Sequence, residues 1–210
     1  MTRILLVDDH AVVRQGLKEI LGHSMADAVF DDAGSGAEAL EKARAGDWGL
    51  AILDMSLPDK SGLDVLKELR QVRPKLPVLV LSMHSEKQLA VRALRAGAAG
   101  YMTKRTAATD IVAAVRKVLA GGRYVSPALA ERLAVDLQAG VEKAPHETLS
   151  DREYQVFRLL AMGHTVKEIS EKLTVSPQTV STHRSRILGK MGLRTNADLT
   201  QYAIHNGLLE

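Results

Sequence analysis

The sequence contains no cysteine, and aromatic residues make up only 3% of its 210 residues. Without cysteine, the chain has no disulfide, no thiolate zinc site and no cysteine nucleophile. Because aromatic side chains are scarce, the core must rest on Leu, Val, Ile, Ala and Met. No apolar run approaches the roughly 18 residues of a membrane span. We therefore expect a cytoplasmic protein that makes no membrane contact.

An excess of charge of one sign is also missing, because the formal net charge is only +3. The one local excess lies in residues 179–194, which hold four cations and no acid: Arg184, Arg186, Lys190 and Arg194. A short basic segment in a nearly balanced chain is typical of a small element that enters a nucleic-acid groove.

Short apolar runs alternate with helical patterns over residues 1–120. The predicted strands are Ile4–Val7, Ala28–Phe30, Leu50–Leu53, Val78–Leu81 and Gly100–Met102. The predicted helices cover about 12–21, 37–45, 63–72, 87–96 and 109–119. Strand–helix alternation of this kind predicts an α/β fold, a doubly wound five-stranded parallel sheet. Ligands of such sheets bind at the carboxyl ends of the strands.

The alternation stops after residue 120. Residues 121–147 read as a linker in which Ser126-Pro127 starts a short helix that runs to about Gln138. A flexible tether follows over 139–147, where Gly140 and Pro145 are loop signals. Residues 148–210 lack strand-like patterns, and capping signals at Ser150 and Thr165 predict helix starts. We expect a second, all-α domain with four helices at about 151–162, 166–173, 177–191 and 196–206.

Carboxylates follow two of the predicted strands directly. Asp8 and Asp9 come after the first strand and Asp54 after the third. Parallel strands bring these ends together, and converging carboxylates need a cation to stay ionised. Oxygen ligands of this kind suit Mg²⁺, beside which a carboxylate can accept a phosphoryl group. Ser82 and Lys104, at two further strand ends, offer a hydroxyl and an ammonium to such a group.

The second and third helices of the C-terminal region have helix-turn-helix spacing. Val180, Ile187 and Leu188 are spaced to face the core. The remaining face then carries Ser181, Thr182, Arg184 and Ser185, whose hydroxyl and guanidinium groups can reach base edges in a major groove.

The motifs of the first region together resemble the receiver domain of two-component response regulators, a flavodoxin-like fold, over about residues 2–119. The matching residues are the Asp8-Asp9 pair, Asp54 in LDMSLPDKSG, Ser82 in VLVLSMHS and Lys104 in GYMTK. The resemblance implies that Asp54 is phosphorylated by a sensor histidine kinase and that Ser82 and Lys104 bind the phosphate. It implies Mg²⁺ held by Asp8, Asp9, Asp54 and the backbone carbonyl of Ser56, and an aromatic switch at Tyr101. Arg105 stands where many receivers have proline, and His84 stands where the family tunes dephosphorylation.

Residues 148–208 resemble the LuxR-type helix-turn-helix of the NarL/FixJ response regulators. The Leu-Ser-x-Arg-Glu start and the Thr-Val-x-x-His segment carry the likeness. It places Ser181, Thr182 and Ser185 at base-reading positions, and Thr179, Arg184, Arg186 and Lys190 at the backbone or groove edge. Together the two resemblances imply a regulator, not an enzyme, that forms a homodimer on phosphorylation and binds double-stranded promoter DNA.

Two other functional classes share some of these features. A haloacid-dehalogenase-like phosphatase also attacks with an aspartate, but it carries Asp-x-Asp, whereas Asp54 is followed by Met55 and Ser56. A DNA-binding protein that uses its receiver only to dimerise, without phosphorylation, is the alternative reading. His10, His23 and His84 are scattered along the sequence, which argues against a histidine-based zinc site.

Overall fold

The computed structural model describes residues 1–83, 87–127, 129–131 and 144–209. The chain divides into two compact units, Met1–Val135 and Asp136–Glu210. His84, most of the predicted helix after Ser126 and most of the tether lie outside the described residues. Within the described ranges, no helix is long and apolar enough to cross a membrane.

The first unit is built on a parallel sheet of six strands in the order β2-β1-β3-β4-β5-β6. The strands are β1 (Thr2–Val7), β2 (Ala28–Ala33), β3 (Leu50–Asp54), β4 (Val78–Ser82), β5 (Gly100–Thr103) and β6 (Tyr124–Val125). The five predicted strands are confirmed. The sixth lies in the segment predicted as linker and pairs with β5 at Gly100 and Tyr101. Two residues are too short a run for strand periodicity to reveal.

Five helices cover the two faces of the sheet. They are α1 (Ala11–Ser24), α2 (Gly36–Ala45), α3 (Gly62–Val72), α4 (Lys87–Arg95) and α5 (Lys104–Leu119). One apolar core joins the sheet to α2, α3 and α4, and the other joins it to α1 and α5. Because both faces are covered, every residue of β3 and β4 is buried, which explains why these strands read as unbroken apolar runs.

Helix α5 begins at Lys104, about one turn before its predicted start. A proline at position 105 would push the preceding residue away from helical backbone angles. Since Arg105 stands there instead, Lys104 itself takes the first helical position. The chain therefore passes from β5 into α5 without a loop.

Helix α2 is held at both ends by residues that flank α3. Asp59 accepts hydrogen bonds from the backbone N–H groups of Gly36 and Ala37 at 2.8 and 2.9 Å. Arg73 donates to the carbonyls of Ala43 and Gly46 at 2.8 and 2.7 Å. These contacts satisfy N–H and C=O groups that a helix end leaves unpaired.

The second unit contains four α-helices in its described residues. They are α6 (Asp151–Ala161), α7 (Val166–Leu173), α8 (Pro177–Met191) and α9 (Asn196–His205). The capping boxes predicted at Ser150 and Thr165 are confirmed, and a further one starts α9 at Thr195. The turn between α7 and α8 passes through Thr174, whose φ of 51° is left-handed.

The end of the predicted tether is folded. Residues Pro145–Thr148 form a 3₁₀ helix, and the buried side chain of His146 contacts the Tyr202 hydroxyl at 2.8 Å through Nδ1. The tether prediction relied on Gly140 and Pro145 as loop signals. Proline is also favoured at the first position of a helix, and this second role applies here.

Candidate functional site

Strand ends meet at one edge of the sheet in the first unit. β1 and β3 pair so that the residues just before Asp8 and Asp54 lie side by side. β4 and β5 pair so that Ser82 lies opposite the residue before Lys104. Asp8, Asp54 and Ser82 are all buried. The sheet thus brings together side chains that are far apart in the sequence.

Lys104 joins the two buried carboxylates. Its Nζ lies 2.8 Å from Asp54 Oδ2 and 2.6 Å from Asp8 Oδ2. Burial opposes a charged ammonium, but the two carboxylates outweigh it and raise the pKa of Lys104. The lysine therefore stays charged and offsets part of the repulsion between the acids.

Asp54 remains short of partners despite this ion pair. Burial raises its pKa above the usual range, and the negative charge of Asp8 adds to the rise, whereas Lys104 and the nearby backbone N–H of Ser56 act against it. Its Oδ1 atom is buried and has no hydrogen-bond partner within the described residues. A buried oxygen without a partner is costly unless a further ligand satisfies it.

A divalent cation fits this unsatisfied group. Asp8, Asp9, His10 and Asp54 each offer a ligand atom, and these atoms lie within 4.8 Å of one another. Three of the four donors are carboxylates, which suits a hard cation such as Mg²⁺. Ser56 lies two residues beyond Asp54 and forms a bridge to Ser61, and the part of its carbonyl in metal binding stays a prediction.

His10 is a site residue that the sequence analysis set aside. Its Nδ1 lies 2.7 Å from Asp9 Oδ1 and 3.2 Å from Asp8 Oδ1. The scattered positions of the histidines argue only against a site made of several histidines. The adjacency of His10 to the acid pair was the signal that could have revealed it.

Gly62 is a second residue that the sequence reasoning missed. A Cβ atom at this position would lie 2.3 Å from the Asp54 carbonyl oxygen and 2.5 Å from Met55 Cα. The Gly62 N–H donates to the Met55 carbonyl at 3.1 Å. Only glycine lets the start of α3 approach the end of β3 so closely, so Gly62 helps to hold Asp54 in place.

Tyr101 lies on β5, next to the strand that ends in Ser82. Its side chain is 2% exposed and belongs to the core beneath α2, α3 and α4. The ring is therefore in an inward position. Its predicted role as a switch is not tested by burial alone.

In the second unit, α8 presents a polar face to solvent. Val180, Ile187 and Met191 are buried, while Leu188 is half-buried, as its core-facing prediction requires. Among the predicted DNA contacts, the exposed residues are Thr179, Ser181, Thr182, Ser185, Arg186 and Lys190, and Arg184 is partly exposed.

Two of the predicted cations on α8 already have partners. Lys190 Nζ lies 2.7 Å from Glu153 Oε2, on a glutamate that is buried. Arg184 donates through Nε to Asn196 Oδ1 at 2.6 Å. Lys190 therefore stabilises the helix packing, whatever else it contacts, and Arg186 is the more available cation.

The hydroxyl hydrogens on α8 are used within the helix. Thr182 donates to the Gln178 carbonyl at 3.0 Å, and Ser185 donates to the Ser181 carbonyl at 3.2 Å. Both residues are exposed, and each hydroxyl oxygen keeps lone pairs that can accept a hydrogen bond from a donor group on a ligand.

Family models match both units of the chain. Residues 4–116 match the response regulator receiver domain, and residues 147–203 match the luxR family of bacterial regulatory proteins. The first match covers about half of the chain and includes all the residues of the sheet-edge site. The second covers α6, α7 and α8 and most of α9.

Relatives match over nearly the full length. The response regulator UvrY of Escherichia coli strain K12 is 34% identical over 99% of this chain and 96% of its own. The response regulator GacA of Pseudomonas aeruginosa is 35% identical over 100% of this chain and 99% of its own.

A solved structure is similar as well. RcsB from Salmonella enterica serovar Typhimurium, bound to promoter rprA in the presence of phosphomimetic BeF₃⁻, has a TM-score of 0.71 and is 25% identical. The match covers 96% of this chain and 97% of RcsB. The chain therefore belongs to the response regulators of two-component systems, which join a phosphorylation-dependent receiver domain to a LuxR-type DNA-binding helix-turn-helix.

Proposed function

We propose that Asp54 is the phosphoacceptor of this regulator and that a sensor histidine kinase is the donor. The observation that carries this proposal is the buried Asp54 Oδ1, which lacks a hydrogen-bond partner in the described part of the chain while Lys104 contacts Oδ2. The carboxylate oxygen attacks phosphorus, the bond from phosphorus to the kinase imidazole breaks, and the imidazole leaves. Lys104 then pairs with a phosphoryl oxygen, and Ser82 donates its hydroxyl to another.

A divalent cation, Mg²⁺ by its ligand chemistry, completes this site. Asp8, Asp9 and Asp54 would hold it, with the Ser56 carbonyl as a further oxygen. When bound, the cation neutralises charge on the phosphoryl oxygens. Lys104 cannot do this alone, because two carboxylates already share its ammonium.

Phosphorylation then shifts an equilibrium that the chain already has. Ser82 and Tyr101 lie on the paired strands β4 and β5, so a change at the Ser82 hydroxyl has only one strand pair to cross before it reaches the Tyr101 ring. We place the receiver at residues 1–120, the linker at 121–147 and the helix-turn-helix at 148–210. The shift favours a homodimer that binds promoter DNA in the cytoplasm, where the chromosome lies.

Helix α8 is the element that enters the major groove in this proposal. Ser181, Thr182 and Ser185 face the bases, and Thr179 and Arg186 face the phosphates, with Arg184 and Lys190 at the groove edge. Since Thr182 and Ser185 offer lone pairs, they select amino groups such as those of adenine N6 and cytosine N4. The role is regulatory, so no substrate is turned over.

Labelling by acetyl phosphate with Mg²⁺ tests the phosphoacceptor. Intact-mass spectrometry should detect one added phosphoryl group on the wild type and none on Asp54→Asn. Asp47→Asn, which changes an exposed acid of the same unit, should be labelled normally. A labelled Asp54→Asn protein would exclude Asp54 as the acceptor.

DNA binding tests the regulatory half of the proposal. Selection from a random duplex library should enrich a common sequence more strongly with beryllofluoride and Mg²⁺ than without them. Light scattering should show the monomer-to-dimer shift under the same conditions. Equal enrichment by wild type and Asp54→Asn in both conditions would favour the phosphorylation-independent alternative.

A further inference from the structure

His10 occupies the capping position before α1 without capping the helix. Ser, Thr, Asp and Asn are preferred there because their oxygens accept hydrogen bonds from the N–H groups of the first turn. His10 makes no such side-chain bond. Its ring turns to the acid pair instead, with Nδ1 2.7 Å from Asp9 Oδ1. A residue that breaks a local rule for another contact is typical of a functional site.

Hydrogen bonds hold the His10 backbone and Asp8 together. The His10 N–H donates to Asp8 Oδ1 at 2.9 Å, and Arg14, one turn into α1, donates to the Asp8 carbonyl. The His10 side chain is 65% exposed, so it can bind an ion without first being buried. A ring nitrogen of His10 and a carboxylate oxygen of Asp54 are among ligand atoms that lie within 4.8 Å of one another. Asp54 Oδ1 is buried and has no hydrogen-bond partner among the described residues.

We propose that the His10 imidazole is a nitrogen ligand of the divalent cation held by Asp8, Asp9 and Asp54. The site then has a mixed ligand set in which one donor is an imidazole. This inference rests on the proposed function, since it concerns the cation of the same site. It adds a residue that determines which cations the site prefers.

The consequence is a change in metal preference. Mg²⁺ binds oxygen ligands, whereas imidazole also suits first-row transition ions, whose affinities rise from Mn²⁺ towards Cu²⁺. An imidazole nitrogen therefore adds affinity for Mn²⁺ and Ni²⁺ and little for Mg²⁺. The regulator should accept these ions more readily than a receiver site made of oxygens alone.

Electron spin-echo spectroscopy of the full chain with Mn²⁺ tests this ligand directly. The wild-type complex should show modulation from a coordinated imidazole nitrogen, and histidine labelled with ¹⁵N should change the modulation pattern. His10→Asn should lose the signal. His23→Asn is the matched control, because His23 ends the same helix and its Nδ1 contacts the Glu19 carbonyl. It should keep the signal.

Affinities give a second readout. The ratio of the Mg²⁺ to the Mn²⁺ dissociation constant should fall at least about tenfold in His10→Asn, the scale on which even an outer-sphere partner affects a metal site. His23→Asn should leave the ratio unchanged. Bound Mn²⁺ without nitrogen modulation in the wild type would overturn the inference, and so would an absence of Mn²⁺ binding.

The outcome is separate from that of the proposed function. Labelling of wild-type Asp54 by acetyl phosphate with Mg²⁺ does not depend on nitrogen ligation. Normal labelling without nitrogen modulation would overturn the His10 role alone. Nitrogen modulation without labelling would overturn the phosphoacceptor alone. Because the spectroscopic test is made on the wild type, a poorly folded variant cannot decide it.

Discussion

At the scale of single residues, the site is built from charged groups that are buried, although burial disfavours their charged forms. Asp54 is a buried carboxylate beside a second one, and its pKa is raised. Lys104 carries a buried ammonium that forms ion pairs with both Asp8 and Asp54. Such arrangements reduce the stability of the resting fold, and they persist at functional sites because a ligand later relieves them.

We predict that Asp54→Asn stabilises the first unit in the absence of metal. A carboxylate with a raised pKa destabilises the folded state at any pH above that pKa, and the penalty disappears as pH falls towards its ordinary value of 3.8. The gain should be on the order of 1 kcal/mol at pH 7 and should vanish near pH 4. Urea unfolding followed by the fluorescence of Trp48, the only tryptophan, measures it.

Asp31 provides a control of opposite sign. Its hydrogen bond with Lys42 lowers its pKa more than burial raises it. Asp31→Asn should therefore lose stability at pH 7, and the loss should fade as pH falls below 3.8. If both substitutions shift stability in the same direction at pH 7, our account of Asp54 is wrong.

A second prediction concerns Gly62. A methyl group here must displace the end of β3, so Gly62→Ala should lower the free energy of unfolding by about 1–3 kcal/mol. It should also slow the labelling of Asp54 by acetyl phosphate. Gly16→Ala is the matched control, because nothing lies within 4 Å of its Cβ position in α1. Gly16→Ala should raise the free energy of unfolding by up to about 1 kcal/mol, because alanine has a higher helix propensity than glycine. Trp48 fluorescence during urea unfolding reports both changes. Equal effects of the two substitutions would show that the close approach of α3 to β3 does not require glycine at position 62.

At the scale of helices and strands, the second unit depends on an ion pair inside a cap. Glu153 starts α6 by accepting the Ser150 N–H at 2.8 Å, and Lys190 of α8 contacts the same carboxylate. Burial raises the pKa of Glu153, but Lys190 and Ser150 outweigh this and lower it to about 2. The pair therefore ties the first helix of the unit to the last turn of α8.

We predict that Glu153→Gln loosens this junction. Glutamine keeps the capping pattern but loses the charge, so the second unit should lose about 1–2 kcal/mol at pH 7, a figure reduced because Lys190 is partly exposed. The loss should shrink as pH falls from 4.5 towards 2. Pulsed hydrogen exchange of α6 peptides during urea titration measures it. The exposed Glu168→Gln should have a much smaller effect.

The sequence predicted these elements to different degrees. Buried strands and capped helices carry their signals locally, so β3, β4 and the four helices of the second unit were predicted to within a residue or two. Strand β6 and the 3₁₀ helix at Pro145 were not, because each is stabilised by contacts with distant segments. Similarly, strand ends predicted Asp8 and Asp54, and the sequence also places His10 beside the acid pair. The fit of Gly62 against the end of β3 depends on backbone geometry that the sequence pattern does not carry.

At the scale of the whole molecule, DNA affinity must come from few charges, because the net charge is only +3. We predict that Arg186→Ala reduces the slope of log affinity against log salt by about one per bound copy. Arg123→Ala, an exposed cation of the first unit, should leave it unchanged. Fluorescence anisotropy titrations on a selected duplex measure both slopes. An unchanged slope for Arg186→Ala would show that Arg186 does not contact a DNA phosphate.

The hydrogen bonds at the two ends of α2 also affect how a conformational change at Asp54 can spread through the first unit. Asp59 and Arg73 bind the two ends of α2 from either side of α3, so hydrogen bonds tie these two helices together on one flank of Asp54. The other flank consists of Ser82, Tyr101 and a β5–α5 junction without a loop. We therefore expect a change at Asp54 to move the ends of β4 and β5 and the start of α5 more than α2 and α3, so the fold would give the signal a direction before any partner binds.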